Sequence, residues 1–103
     1  MLVAFSVVPV GSGTELKHEV ARILDVIDRS GLPYRLNAMT TEIEGEWDEV
    51  MAVVRQAHDL GRSFSGRVLT TIVIDDRQGA SGRIEGKIRD VEAISGKRME
   101  RKA

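Results

Sequence analysis

Apolar and polar positions alternate at the start of the chain and then change to a helical spacing, and the same change recurs further along. From Leu2 to Val8, Val3, Phe5 and Val7 share one face, and Leu2, Ala4, Ser6 and Val8 share the other. This predicts a first strand, ended by Pro9 and followed by a Gly11-Ser12-Gly13 turn. Ser12 and Glu15 have the spacing of a capping box, and Leu16, Val20, Ile23, Leu24 and Ile27 then recur as on one helix face. Ser30-Gly31 stops this helix, and Pro33 follows. Tyr34 to Met39 alternates as a second strand, and Thr40 to Glu44 forms a short third one before Gly45. Glu46, Asp48 and Glu49 suit the first turn of a helix, where the backbone dipole favours acids. Trp47, Val50, Met51, Val54 and Ala57 make its apolar stripe. Gly61 to Gly66 reads as a loop, and Val68 to Ile74 as a β-branched fourth strand. Ile84, Ile88, Val91 and Ile94 mark a third helix.

The order β-α-β-β-α-β-α predicts an α+β domain of the ferredoxin-like βαββαβ type. Two crossover units would form a four-stranded antiparallel sheet with two helices on one face, plus an additional C-terminal helix. Its length of 103 residues suits one domain, expected over residues 1–96, with 97–103 as a basic tail.

Alternation also divides the sheet. Val3, Phe5, Val7, Tyr34, Leu36, Ile43, Ile72 and Ile74 are expected to meet the helices. Ala4, Ser6, Asn37, Met39, Leu69, Thr71 and Val73 fall on the opposite face, half apolar and half neutral-polar. Water is a poor environment for such a patch, so a second copy or the third helix is expected to cover it. A ligand pocket within the same surface is compatible with that cover.

Lys and Arg total 15 against 16 Asp and Glu, a balance that gives no electrostatic attraction to nucleic acid or an anionic membrane. An RNA reader of this topology would carry exposed aromatic residues on its first and third strands, where Ser6 and Thr40-Thr41-Glu42 stand instead. With no cysteine, thiolate chemistry and disulfides are excluded, and a cytoplasmic location is expected. The apolar N-terminus is too short to span a membrane.

Little in the chain points to catalysis. Gly11-Ser12-Gly13-Thr14 could present amides to a phosphate, but the Walker lysine is missing and an ordinary capped turn accounts for it. His18 and His58 have no metal-ligand spacing, so no metal is expected. Among the acids, Glu44 stands out at a strand end beside Gly45, where a buried carboxylate could neutralise a cation or accept from an amino group. Glu44 with His58 does not assemble a nucleophile, base and orienting group, so the chain is not expected to be an enzyme.

Three stretches together resemble the thiamine-binding protein family of small ferredoxin-like proteins, formerly a conserved family of unknown function. They are Phe5 to Gly11, Tyr34 to Trp47 and Val68 to Arg77, whose order and spacing carry the resemblance across roughly residues 1–95. The resemblance implies dimers built through the sheets, often paired into tetramers. It also implies binding of thiamine or its hydroxymethylpyrimidine part without catalysis. The family's pattern of Met, a Thr two residues on and a Glu three further falls on Met39, Thr41 and Glu44, with Thr40 in place of a glycine.

Thiamine's chemistry suits these residues. Glu44 answers the cationic ring or the amino group, while Ser6, Asn37, Thr41 and Thr71 can read ring nitrogens and a hydroxyl. Met39 can pack on a ring face. Strict alternation nonetheless places Thr41 on the helix side and Glu44 on the open side, unless a bulge near Thr40 intervenes. The expectation is a homo-oligomeric thiamine or pyrimidine binder that needs no cofactor. The alternative is a regulatory or structural oligomer that binds another small molecule, such as an amino acid.

Overall fold

A computed structural model of the chain describes residues 1–11 and 17–99. In order, the elements are β1 (Leu2–Val10), α1 (Lys17–Arg29), β2 (Tyr34–Leu36), β3 (Thr41–Glu44), α2 (Trp47–Phe64), β4 (Arg67–Asp75) and α3 (Arg83–Ser95). The expected capping box of Ser12 and Glu15, most of the Gly11-Ser12-Gly13-Thr14 turn, and Leu16 lie outside the described residues, as do residues 100–103.

The strands pair antiparallel in the order β2-β3-β1-β4, which is the ferredoxin-like α+β arrangement. The two-residue period of β1 sets the core. Val3 lies between Ile43 and Ile74, and Phe5 between Thr41 and Ile72, all on the face that α1 and α2 cover. Val3, Phe5 and Ile43 are buried there with Ile23 and Ile27 of α1 and Val50, Val53, Val54 and Ala57 of α2. Tyr34, Leu36, Ile72 and Ile74 share that face but are partly exposed, because β2 and β4 are the sheet's edges.

Several sequence expectations change. β1 continues through Pro9 to Val10, pairing with β4 along its full length. β3 reaches only as far as Phe5, so the end of β1 has one free edge, where a proline lacking an N–H is tolerated. The second strand stops at Leu36, and Asn37 to Thr40 form the turn into β3, closed by the Asn37 amide donating to the Thr40 carbonyl at 2.9 Å.

α2 does not end at Gly61 but runs on to Phe64. A Cβ on Gly61 would lie 2.6 Å from Val7 Cγ1 and 3.2 Å from Val68 Cγ2, so the glycine lets the helix lie close on the sheet rather than breaking it. Trp47, expected in the apolar stripe, opens α2 and is 54% exposed, while Val53 takes a core position. Part of the expected tail is tied back, with the Met99 amide donating to Glu92 Oε2 at 2.9 Å.

α3 lies across one end of the face that α1 and α2 leave open. Ile84 is its buried residue, and the side chains of Lys87 and Arg35 pair with Asp75 and Glu85 to tie it to β4 and β2. Val8, Leu69 and Val73 on the rest of that face stay exposed, as do Val91 and Ile94 on α3.

Candidate functional site

The β2–β3 hairpin and α1 enclose a cavity of about 190 Å³. Its walls are apolar, with Phe5 and Val7 from β1, Val20, Ile23 and Leu24 from α1, and Leu36 from β2. Ser6, Asn37, Met39 and Thr41 complete the lining, so the structure brings these expected site residues together. Thr41 is 6% exposed on the helix side of β3. No hydrogen bond to its hydroxyl occurs among the described residues, so the group is free for a ligand. Asn37 sits in the turn, its side-chain amide donating to Glu42 Oε1 at 2.5 Å. This bond ties the Glu42 carboxylate to the turn that lines the cavity. Met39 is 88% exposed at the turn's tip, free to fold over a ring. No non-glycine residue among those described has a positive φ, so Thr40, expected by resemblance to replace a glycine, takes an ordinary backbone.

Glu44 and Thr71 lie elsewhere. Thr71 faces the open side opposite Ser6 and lines no cavity described. Glu44 is at the far end of β3, roughly 10 Å from Thr41 at a strand's rise per residue. The β1–β3 register is unbroken from Leu2–Glu44 to Phe5–Thr41, so no bulge turns the two residues to one face.

Glu44 is 8% exposed, and its charge is answered by α3. The Arg83 amide donates to Oε1 at 2.9 Å and Oε2 at 3.0 Å, and the Ile84 amide donates to Oε1 at 3.2 Å. Gly82, at φ 62°, precedes the helix and has no side chain with which to cap it. A carboxylate on β3 therefore does the work of an N-cap, a contact of roughly 0.5–2 kcal/mol. Exposed ion pairs contribute about 0–1 kcal/mol, so this cap outweighs the Lys87–Asp75 and Arg35–Glu85 pairs in fixing the start of α3.

A larger cavity, about 600 Å³, opens beside Glu44 between α3 and the β2–β3 end of the sheet. Leu32, Pro33 and Ile84 form much of its apolar wall. The Tyr34 ring also lines it, and the phenol donates to Asp28 Oδ1 at 2.9 Å, a bond that pushes its pKa above the ordinary 10.0.

His58 is absorbed structurally: its Nδ1 meets Thr70 Oγ1 at 2.7 Å, joining α2 to β4. His18 is exposed on α1. Among the described residues no three His, Cys, Asp or Glu side chains gather as metal ligands would, and no helix is long and apolar enough to cross a membrane. Val20, Leu24 and Leu36 read in the sequence as core positions, but their place beside the turn makes them cavity wall. Glu42 forms an acidic cluster in the sequence with Glu44 and Glu46, and it is its place across the hairpin from Asn37 that sets it beside the cavity.

Comparison with known proteins agrees with the resemblance in the residues. Residues 3–92 match the model of the thiamine-binding protein family. A UPF0045 protein of Mycobacterium bovis is 41% identical over 93 residues, spanning 89% of this chain and 91% of the relative. A hypothetical protein of Methanocaldococcus jannaschii superposes with a TM-score of 0.80 at 28% identity, covering 87% of this chain and 93% of that one. A Thermotoga maritima protein, provisionally assigned to thiamine biosynthesis or salvage, superposes with a TM-score of 0.76 at 27% identity, covering 87% of this chain and 96% of that one. The chain belongs to the thiamine-binding protein family.

Proposed function

We propose that the protein binds thiamine or its hydroxymethylpyrimidine part without chemical turnover, with the pyrimidine ring in the cavity between α1 and the β2–β3 hairpin. The observation that carries this reading is the meeting of Ser6, Asn37, Met39 and Thr41 around one apolar space. Small-molecule sites combine apolar walls with a few fixed polar groups. The Thr41 hydroxyl and Asn37 amide are such groups, and both can pair with ring nitrogens or an amino group. About 190 Å³ is below the ~300–1,000 Å³ of drug-sized sites, which suits one ring better than a whole two-ring ligand. Glu42, joined to Asn37, is the carboxylate nearest in bonding terms to a cationic ring projecting from the mouth.

Self-association through the open sheet face belongs to the same proposal. Val8, Leu69 and Val73 form an apolar strip along it, and a formal net charge of −1 offers little repulsion between copies. Ser6 lies on that face, so a partner there would adjoin the cavity's rim.

Calorimetric titration of the protein, freed of co-purified ligand, tests the reading. Hydroxymethylpyrimidine, thiamine and thiamine phosphate are titrated separately. Micromolar binding of the pyrimidine or of thiamine, at one site per chain, is expected. No heat and no thermal shift with any of them would contradict it and favour an oligomeric regulator with a different ligand.

A further inference from the structure

The main chain of β1 leaves one donor and one acceptor unanswered at the hairpin cavity. The Gly45 amide donates to the Met1 carbonyl at 3.1 Å, one step before the Leu2–Glu44 pair. In an antiparallel ladder, opposed residues alternate between hydrogen-bonded and non-hydrogen-bonded pairs. Met1, Val3 and Phe5 therefore turn their N–H and C=O toward β3, while Leu2, Ala4 and Ser6 turn theirs toward β4. Val7 is next in the first series, but β3 has ended. The register continued from Phe5–Thr41 would set Met39 opposite Val7, and Met39 lies in the turn. Among the described residues, neither main-chain group of Val7 has a partner. Val7 is half-buried and lines the cavity. Main-chain groups withdrawn from bulk water call for partners, and the space in front of these two is the cavity.

Pro9 decides what kind of partner fits. It is the next residue turned to the same edge and has no N–H, so a docking strand would lose its following bond there. Val7 offers one donor and one acceptor side by side, enough for a small ring and too little for a peptide strand.

We propose that the Val7 main chain selects the ligand of this cavity: its N–H donates to a ring nitrogen, and its carbonyl accepts from an amino group on the neighbouring ring carbon. The proposal rests on the pyrimidine reading above and adds the atoms that set its specificity. The ligand class is a flat heteroaromatic ring with an amino group beside a ring nitrogen. Such a ring presents an acceptor and a donor along one edge, as a strand residue does, and hydroxymethylpyrimidine carries that edge. Bound there, the ring continues the sheet where β3 stops, with Thr41 beside it. A ring that lacks either group leaves a Val7 group unpaired in the cavity, and sites built around hydrogen bonds reject such analogues strongly.

The test follows the Val7 amide of the isotopically labelled full chain by NMR. The probes are hydroxymethylpyrimidine, its analogue with methyl in place of the amino group, and its analogue with carbon in place of the ring nitrogen beside that group. At saturating hydroxymethylpyrimidine, hydrogen exchange at the Val7 amide is expected to slow roughly tenfold or more. With an isotopically labelled ring, a scalar coupling is expected between the Val7 nitrogen and the ring nitrogen. Each analogue is expected to bind roughly tenfold or more weakly. Val7→Pro removes an N–H that the ladder does not use, as Pro9 already does, and is expected to weaken hydroxymethylpyrimidine by a similar factor with helix content unchanged. Equal affinity in a folded Val7→Pro would overturn the proposal. Should this variant not fold, the exchange and coupling in the wild type decide alone. Ligand-induced shifts at Asn37 and Thr41 with Val7 exchange unchanged, or equal affinity for the amino and methyl rings, would overturn the role of Val7 and leave the hairpin site standing. No binding of any probe would contradict the pyrimidine reading itself, and this proposal with it.

Discussion

The Glu44 carboxylate and the Arg83 amide, 39 residues apart, meet at 2.9 Å and 3.0 Å, and this contact places the start of α3 against the end of β3. Exchange of Glu44 for alanine leaves the first α3 amides without an acceptor. Loss of about 0.5–2 kcal/mol is expected from the missing cap. Urea denaturation followed by far-ultraviolet circular dichroism measures it, and unchanged stability with unchanged helix content would show that α3 is held by other contacts.

Gly61 is expected to be intolerant of even one methyl group. Gly61→Ala would put a Cβ within 2.6 Å of Val7 Cγ1, and relief requires the stiff Val7 side chain to leave its rotamer or β1 and α2 to move apart. Overpacking of this kind costs about 1–3 kcal/mol, although alanine is the better helix former. A denaturation midpoint equal to or above that of the wild type would mean the two elements have room to yield.

How much was legible in advance follows the range of each signal. The strands and helices were readable because alternation and helical spacing are local, and the helix-facing set Val3, Phe5 and Ile43 is buried as alternation requires. Gly61 misled because glycine marks both chain breaks and close approach, and only the distance to Val7 distinguishes them. Asn37 and Met39 continued the alternation of β2 by residue type alone, whereas the hairpin's geometry needs them in the turn. The opposite facing of Thr41 and Glu44 was already present in the two-residue period. What Glu44 meets was not, because α3 comes to it from 39 residues away and leaves no local mark in the sequence.

The open face should be where copies meet. Thr71→Arg places a charge opposite Ser6, between Leu69 and Val73. A buried, unpartnered charge is expected to dissociate the assembly. Analytical ultracentrifugation decides this, and a mutant that sediments with the wild-type mass would remove this face from the interface.

Asp75 gives a pH-dependent contact. The Lys87 ammonium that hydrogen-bonds to it holds its carboxyl below the ordinary value of 3.8. A lowered folded-state pKa stabilises the protein above the ordinary carboxylate range and stops doing so as the pH falls through the lowered value. Lys87→Ala should therefore be slightly less stable than the wild type near neutrality, and the difference should vanish in acid. Carboxyl titration by NMR is expected to show the Asp75 pKa rising in this mutant, and an unchanged value would deny the pair.

Thr41 should contribute one hydrogen bond to the ligand. Thr41→Val keeps the shape and removes the hydroxyl, so hydroxymethylpyrimidine affinity is expected to fall by the equivalent of about 0.5–1.5 kcal/mol, roughly twofold to tenfold. Equal affinity in calorimetry would place the ring away from this residue.

The most direct test of the whole reading is an NMR titration of the isotopically labelled protein with hydroxymethylpyrimidine. Amide shifts should concentrate at Asn37, Met39, Thr40 and Thr41 and at Val20 and Leu24 of α1, while Arg83 and Ile84 stay still. Shifts confined to α3, or none at saturating pyrimidine, would contradict a binding site between α1 and the hairpin.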